Sequence, residues 1–284
     1  MILQTLFDPI VKTALQEDLA GGDLSAEACI PDGKRARAIA IAKSPLVVCG
    51  ADVFRRVFDL IAPGEVKFVA ELAEGADASP PNAVVFRLEG PARALLMGER
   101  TALNFVQRMS GTATLARRLV RALPEGSATR ITDTRKTTPG MRYLERYAVR
   151  VGGGYNHRDQ LGSAVMIKDN HIIASGGITA AVERARARAP HTSRIEVEVT
   201  SLEQLDEAIA ARADIIMLDN FSTPLTGQAV DRVRSLRPRP LLEASGGITL
   251  DRVKELAMAG VDVISVGALT HSAPAADISL DFEL

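Results

Sequence analysis

Six short, largely apolar runs, several of them followed by an amphipathic stretch, constrain this chain more than any other feature. Ile131–Asp133, Ala164–Lys168, Ile195–Val199, Ile215–Asp219, Leu241–Ala244 and Val263–Val266 have strand length and read as buried parallel strands. Leu202–Ala211 and Asp251–Ala259 carry helical periodicity between them. Ser201 with Gln204 predicts a capping box on the first helix, and Thr249 and Gly260 predict the cap and the closure of the second. Alternating strands and helices imply a barrel-like α/β sheet or a doubly wound one. About 160 residues fall short of the roughly 250 of a complete eight-unit barrel. An incomplete α/β barrel is therefore expected.

The first hundred residues read differently. Leu3, Leu6, Ile10, Ala14 and Leu15 recur at helical spacing, and Gly21-Gly22 can stop that helix. Strand-like runs follow at Ala38–Ala42, Leu46–Cys49, Val66–Ala70 and Val84–Leu88, with a helix-like Val53–Ile61 among them and a Pro80-Pro81-Asn82 turn. Ala92–Leu123 is helical, with a break expected near Ser110-Gly111. The alternation of Ile278, Leu280 and Phe282 predicts a last strand returning to the first domain's sheet. The expected division is a mixed α/β N-terminal domain over 1–108, joined by 271–284, and a barrel-like domain over 109–270.

Function classes narrow quickly. A net charge of −1 argues against a nucleic-acid binder, which needs a broad basic surface. No apolar run approaches the roughly 20 residues that span a bilayer, so no membrane role is expected. The N-terminus, MILQTLFDPIVKTALQEDL, lacks the basic region of a signal peptide. Cys29 and Cys49, without CxxC spacing, read as free thiols of a cytoplasmic protein.

Charge is nevertheless concentrated. Thr134 to His171 holds seven Lys/Arg against three Asp/Glu, together with His157 and the run Gly152-Gly153-Gly154. Cations on a backbone free to bend suit a small polyanion, such as a phosphate or a polycarboxylate. The strand ends add to this. Lys168-Asp169-Asn170, Glu196 with Glu198, Asp219-Asn220, Glu243 to Gly247 and Ser265-Val266-Gly267 all lie where α/β folds collect reactive groups. One such residue is readily a satisfied turn residue; five successive strand ends are not. Glu196 and Glu198 share a strand face, and with Asp219 they suit Mg²⁺ or ribose hydroxyls; a buried ion pair is the structural alternative. Ser245-Gly246-Gly247 and Val266-Gly267-Ala268 suit a phosphate. Lys168 invites a Schiff-base lyase, but the neighbouring carboxylates favour its charged form and an anion-binding role. His191 reads as a surface residue.

Glu99 to Asn104, TRKTTPG, GGGYNHR, IKDNHI, EVEV, IIMLDN, EASGGI and SVGALTHSAPAADISLDF resemble, in order and spacing, quinolinate phosphoribosyltransferase (decarboxylating), also called nicotinate-nucleotide pyrophosphorylase (carboxylating). The resemblance spans essentially the whole chain and is most specific over 99–282. It implies a mixed α/β N-terminal domain and an incomplete α/β barrel. The implied activity joins quinolinate and phosphoribosyl pyrophosphate to give nicotinate mononucleotide, pyrophosphate and CO₂, with Mg²⁺, in NAD biosynthesis. It implies a homodimer, or a higher assembly of dimers, with a shared active site. The quinolinate pocket falls by resemblance on Arg135, His157, Arg158 and Lys168, with Arg100 from the partner subunit and Thr134 and Lys136 near the substrates. Lys136, Lys168, Glu198 and Asp219 are the implied catalytic residues, the last two also binding metal. Ser245, Gly246, Gly247, Val266, Gly267 and Ala268 are the implied phosphate loops, with His271 nearby. Tyr155 and Asp159-Gln160 depart from the pattern, and Asp159 is expected to turn away from a diacid. Nicotinate phosphoribosyltransferase, or the molybdenum-transport-associated paralogue, is the alternative within the class. The crowd of basic residues favours the diacid, and intact IKDNHI and NHR segments favour the enzyme.

Overall fold

In the computed structural model of the chain, residues 2–79 and 82–283 are described. The Pro80-Pro81 part of the expected turn lies outside them; Asn82, which follows, has a left-handed φ of 60°. In chain order the elements are α1 (Gln4–Leu19), α2 (Leu24–Cys29), β1 (Arg35–Ala42), β2 (Leu46–Val47), α3 (Ala51–Ile61), β3 (Lys67–Ala70), β4 (Asp77–Ala78), β5 (Ala83–Pro91) and α4 (Ala92–Arg121). They continue with β6 (Arg130–Thr132), α5 (Arg142–Val151), β7 (Val165–Ile167), α6 (Asp169–Ser175), α7 (Ile178–Arg188), β8 (Ile195–Val199) and α8 (Leu202–Ala210). The remainder is β9 (Ile215–Asp219), α9 (Thr223–Val233), β10 (Leu241–Ser245), α10 (Leu250–Ala259), β11 (Val263–Ser265), α11 (Ala268–His271) and β12 (Ile278–Glu283). Among the described residues no helix is long and apolar enough to cross a membrane.

The chain forms two compact units, one of residues 1–117, 137–153 and 269–284, the other of 118–136 and 154–268. The expected division differs from this in three places. The first unit keeps more of α4, takes back 137–153 with α5, and is rejoined from 269 rather than 271.

In the first unit an antiparallel sheet has the order β12-β1-β5-β3, and the returning C-terminal strand pairs Ile278 to Glu283 with Ala42 to Arg37. Phe54, Phe58, Phe68 and Phe86 cluster with ring centroids 4.8–6.2 Å apart, filling the space between α3 and this sheet. The break expected at Ser110-Gly111 does not occur. Ser110 faces the core, where its hydroxyl accepts from Cys49 N at 3.0 Å. A Cβ on Gly111 would lie 1.9 Å from Pro274 O, so the glycine serves close packing rather than a turn. Arg108 on the same helix pairs with Glu145 of α5 at 2.8 Å, and that carboxylate is 1 % exposed. Thr138 N and Oγ1 donate to it as well, at 3.0 and 2.8 Å.

In the second unit six parallel strands run in the order β6-β11-β10-β9-β8-β7, as the incomplete α/β barrel predicts. Beyond β6 pairing continues only as a single bridge between Thr132 and Tyr155. Along these strands the register separates two faces. Ile131, Val197, Ile216, Leu218, Leu242, Ala244 and Ile264 are buried on one. The other carries Thr132, Glu196, Glu198, Met217, Asp219, Glu243, Ser245 and Ser265. Parallel strands covered on both faces are ordinarily apolar throughout, so this second face is the anomaly that marks the site. The caps are partly as expected: Ser201 Oγ accepts from Gln204 N at 3.2 Å, but Gln204 Oε1 turns to Thr200 N at 2.8 Å, leaving the capping box half formed. Thr249 caps α10, and Gly260 ends it at φ +99°.

Candidate active site

The C-terminal ends of the second unit's strands surround a cavity of about 630 Å³. Thr134, Arg135, Lys136, His157, Arg158, Lys168, Glu198, Asp219, Ser245, Gly246 and Gly247 line it, joined by Met166, Met217, Asn220 and Glu243. Eleven residues expected from the sequence are thus brought together. Only four of the seven basic residues in the 134–171 stretch are among them. Arg142, Arg146 and Arg150 lie on α5 in the first unit. Gly152 does not serve reach toward the ligand either, because a Cβ there would lie 2.4 Å from Ala113 O. It lets the end of α5 touch α4.

Arg100 and His271 belong to the first unit. Arg100 lines a separate cavity there, of about 640 Å³, with Asp18, Asn104 and Arg108. Val266, Gly267 and Ala268 follow β11 in the second unit, but Val266 is buried and its N–H donates to Thr132 O at 2.9 Å. That residue anchors its loop and has no N–H left for an anion. Asp159 is exposed and outside the lining, as expected. Tyr155, the other departure, stacks under the Arg130 guanidinium at 4.9 Å, and its backbone extends the edge of β6.

Asp133 fixes the entry of the basic loop. Fully buried, its carboxylate accepts from His157 N at 2.8 Å and from Asn156 Nδ2 at 2.6 Å. His157 Nε2 then faces Glu196 at 3.2 Å and Glu243 at 3.5 Å. Burial by itself would lower the imidazole's affinity for protons, but hydrogen bonds to Glu196 and Glu243 outweigh it and push the pKa up to about 10. The N–H of Arg158 approaches His157 Nδ1 at 2.8 Å, so in the neutral ring the proton sits on Nε2, against the carboxylates. Burial raises the Glu196 carboxyl above its ordinary range, with His157 opposing.

Glu196 and Glu198 do not share a ligand. Glu198 forms an ion pair with Lys168 Nζ, whereas Glu196 lies 3 % exposed behind His157. Lys168 is held at the start of α6, where its N–H donates to His171 Nδ1 at 3.0 Å. Arg158 donates to Ala164 O at 3.1 Å. Burial first, and then the nearby charge of Arg135, lower its pKa, though not enough to discharge a guanidinium near neutrality. Two like charges held together in a recess make a site for an anion with more than one negative group.

Another part of the lining is built by two turns. Asn220 has φ 56°, Gly246 φ 90° and Gly247 φ 57°. A Cβ on Gly246 would lie 2.1 Å from Asn220 Oδ1, so only glycine allows the turns to nest. Glu243 Oε1, Ser265 Oγ and Arg158 Nε are buried without a hydrogen-bond partner. Asp133 was not singled out as a site residue from the sequence, and Glu243 was named only as the start of a polar strand end. The signal available was a charged residue within an otherwise apolar strand or at its end.

The carboxylate oxygens of Glu198 and Asp219 are hard donors, and two carboxylates beside a phosphate-type loop fit Mg²⁺, which keeps part of its coordination for water and substrate phosphates. The tighter group of His157, Glu196 and Glu243, with ligand atoms within 4.8 Å of one another, already makes an internal ion cluster around the histidine.

A polyanion site at the carboxyl rim of a parallel α/β sheet, in a chain with a separate mixed α/β unit, defines the class: a two-unit α/β protein that binds a small polyanion. Residues 23–110 match the N-terminal domain family of quinolinate phosphoribosyl transferase, and 112–281 match its C-terminal domain family. The chain belongs to the quinolinate phosphoribosyl transferase family. It is 45 % identical over 269 residues to the probable nicotinate-nucleotide pyrophosphorylase [carboxylating] of Bacillus subtilis, covering 94 % of this chain and 90 % of that protein. The Homo sapiens nicotinate-nucleotide pyrophosphorylase [carboxylating] is 40 % identical over 272 residues, with 95 % and 90 % covered. The solved structure of the Francisella tularensis nicotinate-nucleotide pyrophosphorylase superposes with a TM-score of 0.92 at 39 % identity, covering 100 % of this chain and 98 % of that one. A human nicotinic acid phosphoribosyltransferase structure, at 17 % identity and a TM-score of 0.60, shares the fold.

Proposed function

We propose that the chain transfers the phosphoribosyl group of phosphoribosyl pyrophosphate to quinolinate and decarboxylates the product, giving nicotinate mononucleotide, pyrophosphate and CO₂. The observation that carries this reading is the pairing of Arg135 and Arg158 in the one cavity that Glu198, Asp219 and the Ser245–Gly247 turn also line. Arg135, Arg158, Lys136 and Lys168 hold the two adjacent carboxylates of quinolinate, and His157, its ring nitrogens taken up by Glu196, Glu243 and the Arg158 N–H, adds positive charge without contacting them. Each charge-assisted hydrogen bond contributes about 1.5–3 kcal/mol. The ring nitrogen attacks ribosyl C1 as the bond from C1 to the pyrophosphate oxygen breaks, and pyrophosphate leaves with that electron pair. C1 passes through an oxocarbenium-like state, which the carboxylates of Glu198 and Asp219 stabilise. Lys136 and Lys168 favour departure of the pyrophosphate. When the adjacent carboxylate leaves as CO₂, its bonding pair stays on the ring carbon as an ylide stabilised by the now-cationic nitrogen, and a proton from solvent takes the carboxylate's place, so no side chain is needed as an obligate base. Glu198 and Asp219 would hold Mg²⁺, whose bound charge offsets that of the pyrophosphate.

The enzyme acts in the cytoplasm as a homodimer, or an assembly of dimers, in which Arg100 completes the partner's site. The lining of a different cavity by Arg100 supports this part. Incubation with phosphoribosyl pyrophosphate and Mg²⁺, offering quinolinate or nicotinate, tests the activity. Nicotinate mononucleotide with equimolar CO₂ from quinolinate is the expected result, whereas turnover of nicotinate alone would refute it.

A further inference from the structure

Two turns form one wall of the cavity, and a residue outside the cavity ties them together. The turn after β9 contributes Asp219 and Asn220, and the turn after β10 contributes Ser245, Gly246 and Gly247. Backbone joins them once, where Asn220 N donates to Ser245 O at 2.9 Å. Their left-handed residues leave three carbonyls, those of Phe221, Gly246 and Gly247, gathered around a single cation, Arg252. Its Nη1 donates to Gly246 O at 2.8 Å and to Gly247 O at 3.2 Å, and Nη2 donates to Phe221 O at 2.8 Å. Arg252 sits in the first turn of α10, its own N–H capped by Thr249 Oγ1 at 3.4 Å. It does not line the cavity.

We propose that Arg252 is a positioning residue for the phosphoribosyl half of the site. A trans peptide sets its C=O and the next N–H in opposite directions. Fixing the carbonyls of Gly246 and Gly247 therefore aims the N–H groups of Gly247 and Ile248 away from Arg252. The guanidinium also places a fixed positive charge behind the turn, adding to the field of the α10 N-terminus. A lysine at this position would carry the charge but lacks the planar fork that reaches carbonyls on two turns at once. This role rests on the phosphoribosyl reading of the cavity, and it makes binding to this wall depend on a side chain that never meets the ligand.

Steady-state kinetics of Arg252→Ala and Arg252→Lys, varying each substrate with the other saturating, test the assignment alongside thermal unfolding. Arg252→Ala should raise KM for phosphoribosyl pyrophosphate about 10–100-fold, the usual scale for loss of a group that orients a ligand-binding one. KM for quinolinate should stay within about twofold, on the view that the basic wall is separate. Arg252→Lys should fold as well as the wild type and show a smaller rise in the same constant. Added guanidinium ion at millimolar concentration should recover part of the loss in Arg252→Ala. Equal rises in both KM values, or an unchanged KM for phosphoribosyl pyrophosphate in folded Arg252→Lys and Arg252→Ala, would overturn the proposal. If the wild type itself fails to turn over phosphoribosyl pyrophosphate, the fault lies with the reading of the cavity rather than with Arg252.

Discussion

Glu196 and Glu198 stand two positions apart on one strand and face the same way, yet each answers to a different cation. The spacing was legible in the sequence; the partners were not, because His157 and Lys168 arrive from loops whose paths depend on Asp133 and α6. Arg135 and Arg158 were placed in the pocket by the family resemblance, because charge in the basic stretch does not by itself separate them from Arg142, Arg146 and Arg150. Arg135→Ala should accordingly raise KM for quinolinate far more than KM for phosphoribosyl pyrophosphate; equal losses in the two kinetic titrations would remove Arg135 from the diacid site. The histidine gives a pH test. Its folded pKa lies near 10, above the ordinary 6.5, so its stabilising ion pair is fully present below about 6.5 and is lost as pH rises through about 10. In Glu196→Gln, NMR titration of the His157 ring should show a midpoint moved toward neutrality. A midpoint that does not move would mean that Glu196 does not set it.

At the scale of elements, the strands could be read directly, since short apolar runs ending in polar or glycine residues have few other uses. Glycines misled where tertiary contact decides. Gly111 and Gly152 looked like a breaker and a hinge, but both sit where another segment's backbone comes too near for a side chain. Gly246 is different, since its φ of 90° and its contact with Asn220 both demand glycine. Gly246→Ala should cost about 1–3 kcal/mol of stability, from strain and displacement together. The same variant should weaken phosphoribosyl pyrophosphate binding at least tenfold while sparing quinolinate. Urea unfolding and the two KM values measure both effects, and a variant with wild-type values in each would show that the turn has room to adjust. No spacing of residue types announces that Arg252 gathers carbonyls from two turns; it reads in the sequence as an ordinary charge on a helix.

For the whole molecule, the two kinds of architecture were legible from the change of pattern near residue 130. The interleaving of the chain was not, because 137–153 returns to the first unit without a composition shift to mark it. That return removes three arginines from what had read as one basic stretch. Assembly can be tested by complementation. Arg100→Ala and Lys168→Ala subunits, each inactive alone, should recover measurable activity when mixed into verified heterodimers, because one of the two sites is then intact. No recovery would place every required group within one chain.

The polar inner face of the parallel sheet also sets a limit on how robust this protein can be. Glu243 Oε1 and Ser265 Oγ on that face, with Arg158 Nε from the loop before β7, are buried polar atoms without a protein hydrogen-bond partner, and such atoms cost stability. Replacing such groups with apolar side chains of similar volume is a standard route to a tighter fold. A lineage pressed only toward heat resistance would therefore erode these positions early, and would lose its catalyst before it lost its shape.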